Sequence, residues 1–113
     1  YGKGQNSKSL LAQVDDAISK GKSSFNMSGG EQLRDYLPVE IVASRLVLLL
    51  EYPQYNGVVN ICSGKPISVR TLVEQYLLQR GANIELNLGY YPYPEYEPMA
   101  FWGSTQFFNL KTE

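Results

Sequence analysis

Leu10, Leu11, Val14, Ala17 and Ile18 recur at the spacing of one helical face, and Gly21 follows where a left-handed residue ends a helix. An amphipathic helix is predicted there, with Gln13, Asp15, Asp16 and Lys20 on its polar side. Phe25 and Met27 then alternate with Asn26 and Ser28 ahead of Gly29-Gly30, the pattern of a short strand or extended loop running into a sharp turn. A second extended stretch, Arg34 to Pro38, leads into Val39–Glu51, where Ile41, Val42, Ala43, Leu46, Val47, Leu48, Leu49 and Leu50 follow one another. That segment is too apolar around its circumference for a surface helix and is expected to be largely buried. Pro38 suits its pre-helix position and Tyr52-Pro53 ends it.

Gly57-Val58-Val59-Asn60-Ile61-Cys62 is a continuous apolar run, the pattern of a buried strand in a parallel sheet. After a turn at residues 63–66, Ser68 is placed as an N-cap, with Ile67 and Leu72 as a hydrophobic staple across it. Val69, Leu72, Val73, Tyr76 and Leu77 form one stripe of the helix, Gly81 closes it, and Ile84, Leu86 and Leu88 alternate with Glu85 and Asn87 as a half-buried strand. Strand, helix, strand in that order predicts a right-handed parallel crossover. From Gly89 to Gly103 the prolines fix the backbone and the aromatics offer contact area, so this tract is expected to lie as an ordered loop across a surface or groove. Ser104 or Thr105 is placed to cap a last short helix holding Phe107, Phe108 and Leu110. The sum is an α/β chain with short parallel strands and three main helices.

The 113 residues fit one domain spanning 1–113, and 43% hydrophobic with 19% charged residues indicates a folded chain. A formal net charge of −1, with the cations scattered among the acids, argues against nucleic acid as a partner. Nothing resembles a signal peptide or a membrane span of about 20 apolar residues, so no membrane partner is expected and the cytoplasm is the expected compartment. The chain has no histidine and one cysteine, Cys62, which leaves almost nothing from which to build a metal site or a histidine-dependent triad. No acid, base and nucleophile can be assembled, so no catalytic residue is assigned. Cys62, in its apolar run, is expected to be a packing residue.

Arg34 has two readings. It can pair with Asp35, Glu31 or Glu40 as a surface ion pair worth under about 1 kcal/mol. Alternatively its planar, always-charged guanidinium binds two phosphate oxygens at once, which suits a diphosphate. The Tyr/Pro-rich tract also leaves open a different class of function, a small protein-interaction module offering that tract to a partner.

Three separated pieces resemble one family in its own order. Tyr1-Gly2-Lys3-Gly4-Gln5 is similar to a Tyr-Gly-Pro-Gly-Gln turn, with Lys3 in place of the proline. Gln32-Leu33-Arg34-Asp35-Tyr36-Leu37-Pro38-Val39-Glu40-Ile41-Val42-Ala43 resembles Arg-Asp-(Phe/Tyr/Trp)-(Leu/Ile/Val)-x-Val-(Asp/Glu)-Asp-Val-Ala. Gly57-Val58-Val59-Asn60-Ile61-Cys62-Ser63-Gly64, followed by Ile67-Ser68-Val69, resembles Gly-x-x-Tyr-Asn-(Val/Ile)-Gly-x-Gly and the helix after it. These are motifs of the extended short-chain dehydrogenase/reductases, the NAD-dependent epimerase/dehydratase group that acts on nucleotide sugars.

The resemblance implies the C-terminal, substrate-side portion of such an enzyme. The Rossmann domain, which would bind NAD or NADP and carry the catalytic Ser/Thr, Tyr and Lys, is expected to lie upstream, and no cofactor is assigned to this chain. By itself the chain is expected to be inactive and to self-associate through the interface such a domain would cover. Arg34 matches the arginine that contacts the diphosphate, and Phe25-Asn26-Met27 matches the strand beside the nucleobase, with Met27 near where relatives place an aromatic. Two departures stand out. Ile41 replaces an aspartate at the start of the helix, and Glu95-Tyr96-Glu97-Pro98-Met99 is acidic where relatives have a second phosphate-binding arginine. Lys65, Arg70 or a group outside the chain would have to compensate, or the substrate would have to differ from an ordinary nucleotide sugar.

Overall fold

A computed structural model describes residues 1–54 and 57–105. The elements run α1 (Leu10–Ser19), β1 (Ser24–Asn26), β2 (Leu33–Arg34), α2 (Val39–Leu49), β3 (Ile67–Ser68), α3 (Val69–Gln79) and β4 (Glu85–Asn87). The three helices, β1 and β4 are those the apolar periodicity predicts. The last predicted helix lies outside the described residues.

One core joins α1, α3 and the parallel pair β1–β4. Leu11, Val14 and Ala17 are the buried face of α1, and Val69, Leu72, Val73, Tyr76 and Leu77 that of α3. Val14, Val73, Leu77, Val69 and Met27 cluster at the centre, and Phe25 and Leu86, which face each other across the β1–β4 ladder, pack on them. Leu11, Leu72 and Tyr76 form a second cluster, flanked by Tyr36 and Ile67. Both helix ends follow the sequence: the Ser68 hydroxyl accepts from Thr71 N at 3.1 Å, and Gly21 and Gly81 adopt φ of 64° and 61°. Tyr76 also ties α3 to α1, donating its hydroxyl to Asp15 Oδ2 at 2.7 Å while Arg80 donates to Asp15 Oδ1 at 2.6 Å and lies over the Tyr76 ring. Burial and the neighbouring Asp15 push the Tyr76 phenol up to about 12.

The second sheet is small and positions the site. β2 pairs antiparallel with β3, and on its other side Leu33 bridges Ala100 in parallel, with Leu33 N donating to Met99 O at 2.7 Å and Phe101 N to Leu33 O at 3.2 Å. The first N–H groups of α3, unpaired within the helix, are taken up by the segment before β2: Val69 N donates to Gln32 O at 3.0 Å and Arg70 N to Gly30 O at 2.9 Å. Gly30 makes this approach possible. Its φ is +71°, and a Cβ there would lie 2.7 Å from Arg70 Cβ and 2.9 Å from Arg70 N.

Two expectations fail, for one reason. α2 buries no residue, and Val47 and Leu50 are 64% and 77% exposed, although the helix is as apolar as its sequence promised. The run Gly57–Cys62 forms no strand, Val58 is 88% exposed, and the parallel partner of β4 is β1, so the predicted crossover from that run is not made. A strand needs a neighbouring ladder and an apolar helix needs a facing surface; no described part of this chain supplies either.

Candidate functional site

Successive strand residues point to opposite faces, so Arg34 and Asp35 leave β2 in different directions. Asp35 faces the turn after residue 62. It accepts Ser63 N at 2.7 Å on Oδ1, and Gly64 N at 2.9 Å and Gly103 N at 3.2 Å on Oδ2. Burial acts to raise its pKa, but these donors outweigh burial and hold the carboxyl below its usual range. Close by, burial and then the Asp35 charge push the Cys62 thiol up, and its Sγ meets Ser104 O at 3.5 Å. A thiol so placed stays protonated at neutral pH, which agrees with a packing residue rather than a nucleophile.

Arg34 turns instead into a pocket of about 370 Å³. Phe25, Asn26 and Met27 line one side of it, Pro92, Pro94 and Glu97 of the aromatic tract another, and Gln32, Arg34 and Tyr36 the wall between. The four residues assigned from the sequence are therefore brought together. Met27 reaches the pocket from the core and is buried, whereas Asn26 is exposed and its side-chain oxygen accepts from Asn87 Nδ2 at 3.0 Å. Tyr93 fixes the tract in place, its hydroxyl accepting Glu31 N at 3.0 Å. Burial raises the pKa of the Tyr36 phenol, with Arg34 opposing and Glu97 reinforcing the shift.

The partner of Arg34 is neither Asp35, Glu31 nor Glu40. Its Nη2 donates to Glu97 Oε1 at 2.8 Å and to Pro98 O at 2.7 Å, Nη1 donates to Leu33 O at 2.8 Å, and the guanidinium lies 4.4 Å from the centre of the Phe101 ring. With side-chain exposures of 12% and 27%, Arg34 and Glu97 form a half-buried ion pair, not a surface one. Gln32 joins it. Only 6% exposed, it donates Nε2 to the same Glu97 Oε1 at 3.2 Å and to Ser28 Oγ at 3.3 Å, while its own Oε1 is buried with no partner. Gln32 and the Glu97 pairing are what the sequence reading missed; the acidic character of residues 95–97 was its one visible sign.

A larger open hollow of about 850 Å³ adjoins this pocket, sharing Gln13, Phe25, Asn26 and Tyr91 with it. β3 passes into α3 with no intervening glycine turn, and the first N–H groups of α3 are given to the Ser68 hydroxyl and to the carbonyls of Gly30 and Gln32. Among the described residues no group of His, Cys, Asp and Glu is arranged to hold a metal, and no helix is long and apolar enough to cross a membrane.

No family model matches the chain. It is 27% identical over 96 residues to the dTDP-6-deoxy-L-talose 4-dehydrogenase (NAD(+)) of Aggregatibacter actinomycetemcomitans, a match covering 85% of this chain and 35% of that protein. Its fold superposes with a TM-score of 0.80 on the UDP-N-acetylglucosamine 4-epimerase of Methanobrevibacter ruminantium solved with UDP-N-acetylmuramic acid, at 24% identity over 96% of this chain and 36% of that one. An NAD-dependent NDP-hexosamine 5,6-dehydratase of tunicamycin biosynthesis gives 0.77 at 25% identity, over 97% and 35% of the two chains. The chain thus spans about a third of the length of these relatives.

Proposed function

We propose that the chain, which resembles the extended short-chain dehydrogenase/reductases of the NAD-dependent epimerase/dehydratase group in sequence and fold, is the C-terminal, nucleotide-sugar-binding part of such an enzyme. The parent enzyme would oxidise, reduce, epimerise or dehydrate the sugar with NAD or NADP held by a Rossmann domain outside this chain. The observation that carries the reading is the pocket itself: Phe25, Asn26, Met27 and Arg34 line one cavity under the aromatic tract. Its mixed lining of an aromatic, a thioether, amides and one guanidinium suits a ligand with a flat base, hydroxyls and phosphates.

The open face of the chain supports the second half of the proposal. An apolar α2 and the unladdered run Gly57–Cys62 are the surfaces a covering domain with an accepting sheet edge would bury. The aromatic tract is tied down by Tyr93 and spent on the pocket, which favours this reading over a free peptide-like ligand for a partner protein. In the full-length enzyme, Arg34→Ala is expected to raise KM for a nucleotide sugar at least tenfold, equivalent to about 1.4 kcal/mol. Unchanged steady-state kinetics would remove Arg34 from the binding site.

A further inference from the structure

An arginine grips a phosphate in two ways, end-on through Nη1 and Nη2 or side-on through Nε and Nη2. Both use Nη2. In this chain the two hydrogens of Arg34 Nη2 are given to Glu97 Oε1 and Pro98 O. Neither two-pronged grip is available while Glu97 stays where it is.

The same carboxylate oxygen also accepts the Gln32 amide, so Glu97 Oε1 sits at the point where two half-buried or buried donors converge. That is the surrounding a phosphoryl oxygen would have. Gln32 cannot turn its amide round, because that would set its own oxygen against the carboxylate; the consequence is the buried, unpartnered Gln32 Oε1. Glu97 is held less firmly than the arginine it neutralises. It is more exposed than Arg34, and it lies in the tract between the turn closed by Glu97 N on Pro94 O at 3.0 Å and the Leu33–Ala100 bridge, so its side chain can leave toward solvent without breaking a strand.

We propose that Glu97 is a built-in occupant of the phosphate position, that a nucleoside diphosphate enters by displacing it, and that Gln32 then serves with Arg34 as the second donor to the phosphate. This rests on the nucleotide-sugar reading and deepens it. Glu97 sets how tightly the site takes a diphosphate: the ligand must replace an ion pair already formed, so discrimination falls on ligands whose phosphates offer more oxygens than one carboxylate. Gln32 fills the position in the clamp for which the sequence offers no second arginine.

The test is calorimetric titration of UDP-glucose and dTDP-glucose, with uridine as the phosphate-free control, into the full-length protein and its variants. Glu97→Gln is expected to bind the nucleotide sugars at least tenfold more tightly than wild type and uridine unchanged. Adding Gln32→Leu should return at least threefold of that gain, and adding Arg34→Ala should remove all of it. If Glu97→Gln proves unstable, Glu97→Asp, which withdraws the carboxylate by one methylene, must tighten binding in the same direction. Equal or weaker binding in a folded Glu97 variant, with Arg34→Ala still harmful to wild type, would overturn the role of Glu97 and leave the nucleotide-sugar reading intact. No binding of either sugar nucleotide by wild type and variants alike would overturn both.

Discussion

Two helices of this chain have the same length, 11 residues, and opposite fates. α3 carries polar residues between its apolar ones and buries five side chains; α2 is almost wholly apolar and buries none. Burial is decided by what faces a helix, and α3 has α1 and the β1–β4 pair on one side and the residue 30–36 segment on the other. Among the described residues α2 has no such neighbour. The radius of gyration is 16.6 Å, where a compact chain of this size would have about 13 Å. A hydrophobic pattern thus states a demand for cover, and the described residues meet that demand around α1 and α3 but not around α2.

The sharpest way to break this comparison is a matched pair of truncations. Leu77→Ala in the core is expected to lower unfolding free energy by about 2–5 kcal/mol, whereas Leu46→Ala on α2 should change it by about 0.5 kcal/mol or less, both read from urea unfolding of the 113-residue chain. Equal losses would mean that α2 is covered in solution, by a second copy of the chain.

Asp35 is a joint between the halves, since it binds the turn at 63–64 and Gly103 to the end of β2. Asp35→Ala should cost about 1.5–3 kcal/mol, because a charged acceptor of three N–H groups is removed. Its folded pKa is depressed, so this contribution is present at neutral pH and above the unfolded aspartate value of about 3.9, and is lost as pH falls through the lower folded value. The stability gap between wild type and Asp35→Ala should close correspondingly below about pH 4.

Outside α2, the smallest loss is expected at the α1–α3 tie. Tyr76→Phe removes the hydroxyl between Asp15 and Arg80 and should cost about 1 kcal/mol at neutral pH. The folded pKa of Tyr76 is raised to about 12, so its contribution is intact below the unfolded tyrosine value of about 10 and disappears as pH rises toward 12. Denaturation of wild type and Tyr76→Phe across that alkaline range should show the difference vanish; a constant gap would place the effect in packing.

What was legible in the sequence is what the chain satisfies by itself. The stripe Leu11, Val14, Ala17 and the capped stripe beginning at Ser68 name both faces of the closed core, and Arg34 with Phe25-Asn26-Met27 names much of the pocket wall. The burial of α2 and the strand at 57–62 were misread because periodicity records which side must be dry, while no described residue supplies the surface that would dry it. The Glu97 contact was hidden for another reason. It joins positions 63 apart through a tract with no periodic pattern, and an acidic residue there shows only that a cation is missing, not which cation it will meet. Gln32 carried no signal at all, being one polar residue in a polar turn until its neighbours fold around it.

The pinch at Gly30 has a consequence for finding kin of this chain. Any side chain at that position would push the strand bearing Gln32 and Arg34 off the start of α3, moving both donors together away from the pocket. A glycine four places ahead of the arginine is therefore the spacer that keeps the pair in register, and sequences sharing that interval together with a glutamine midway can be sought on geometry, even where overall identity has faded.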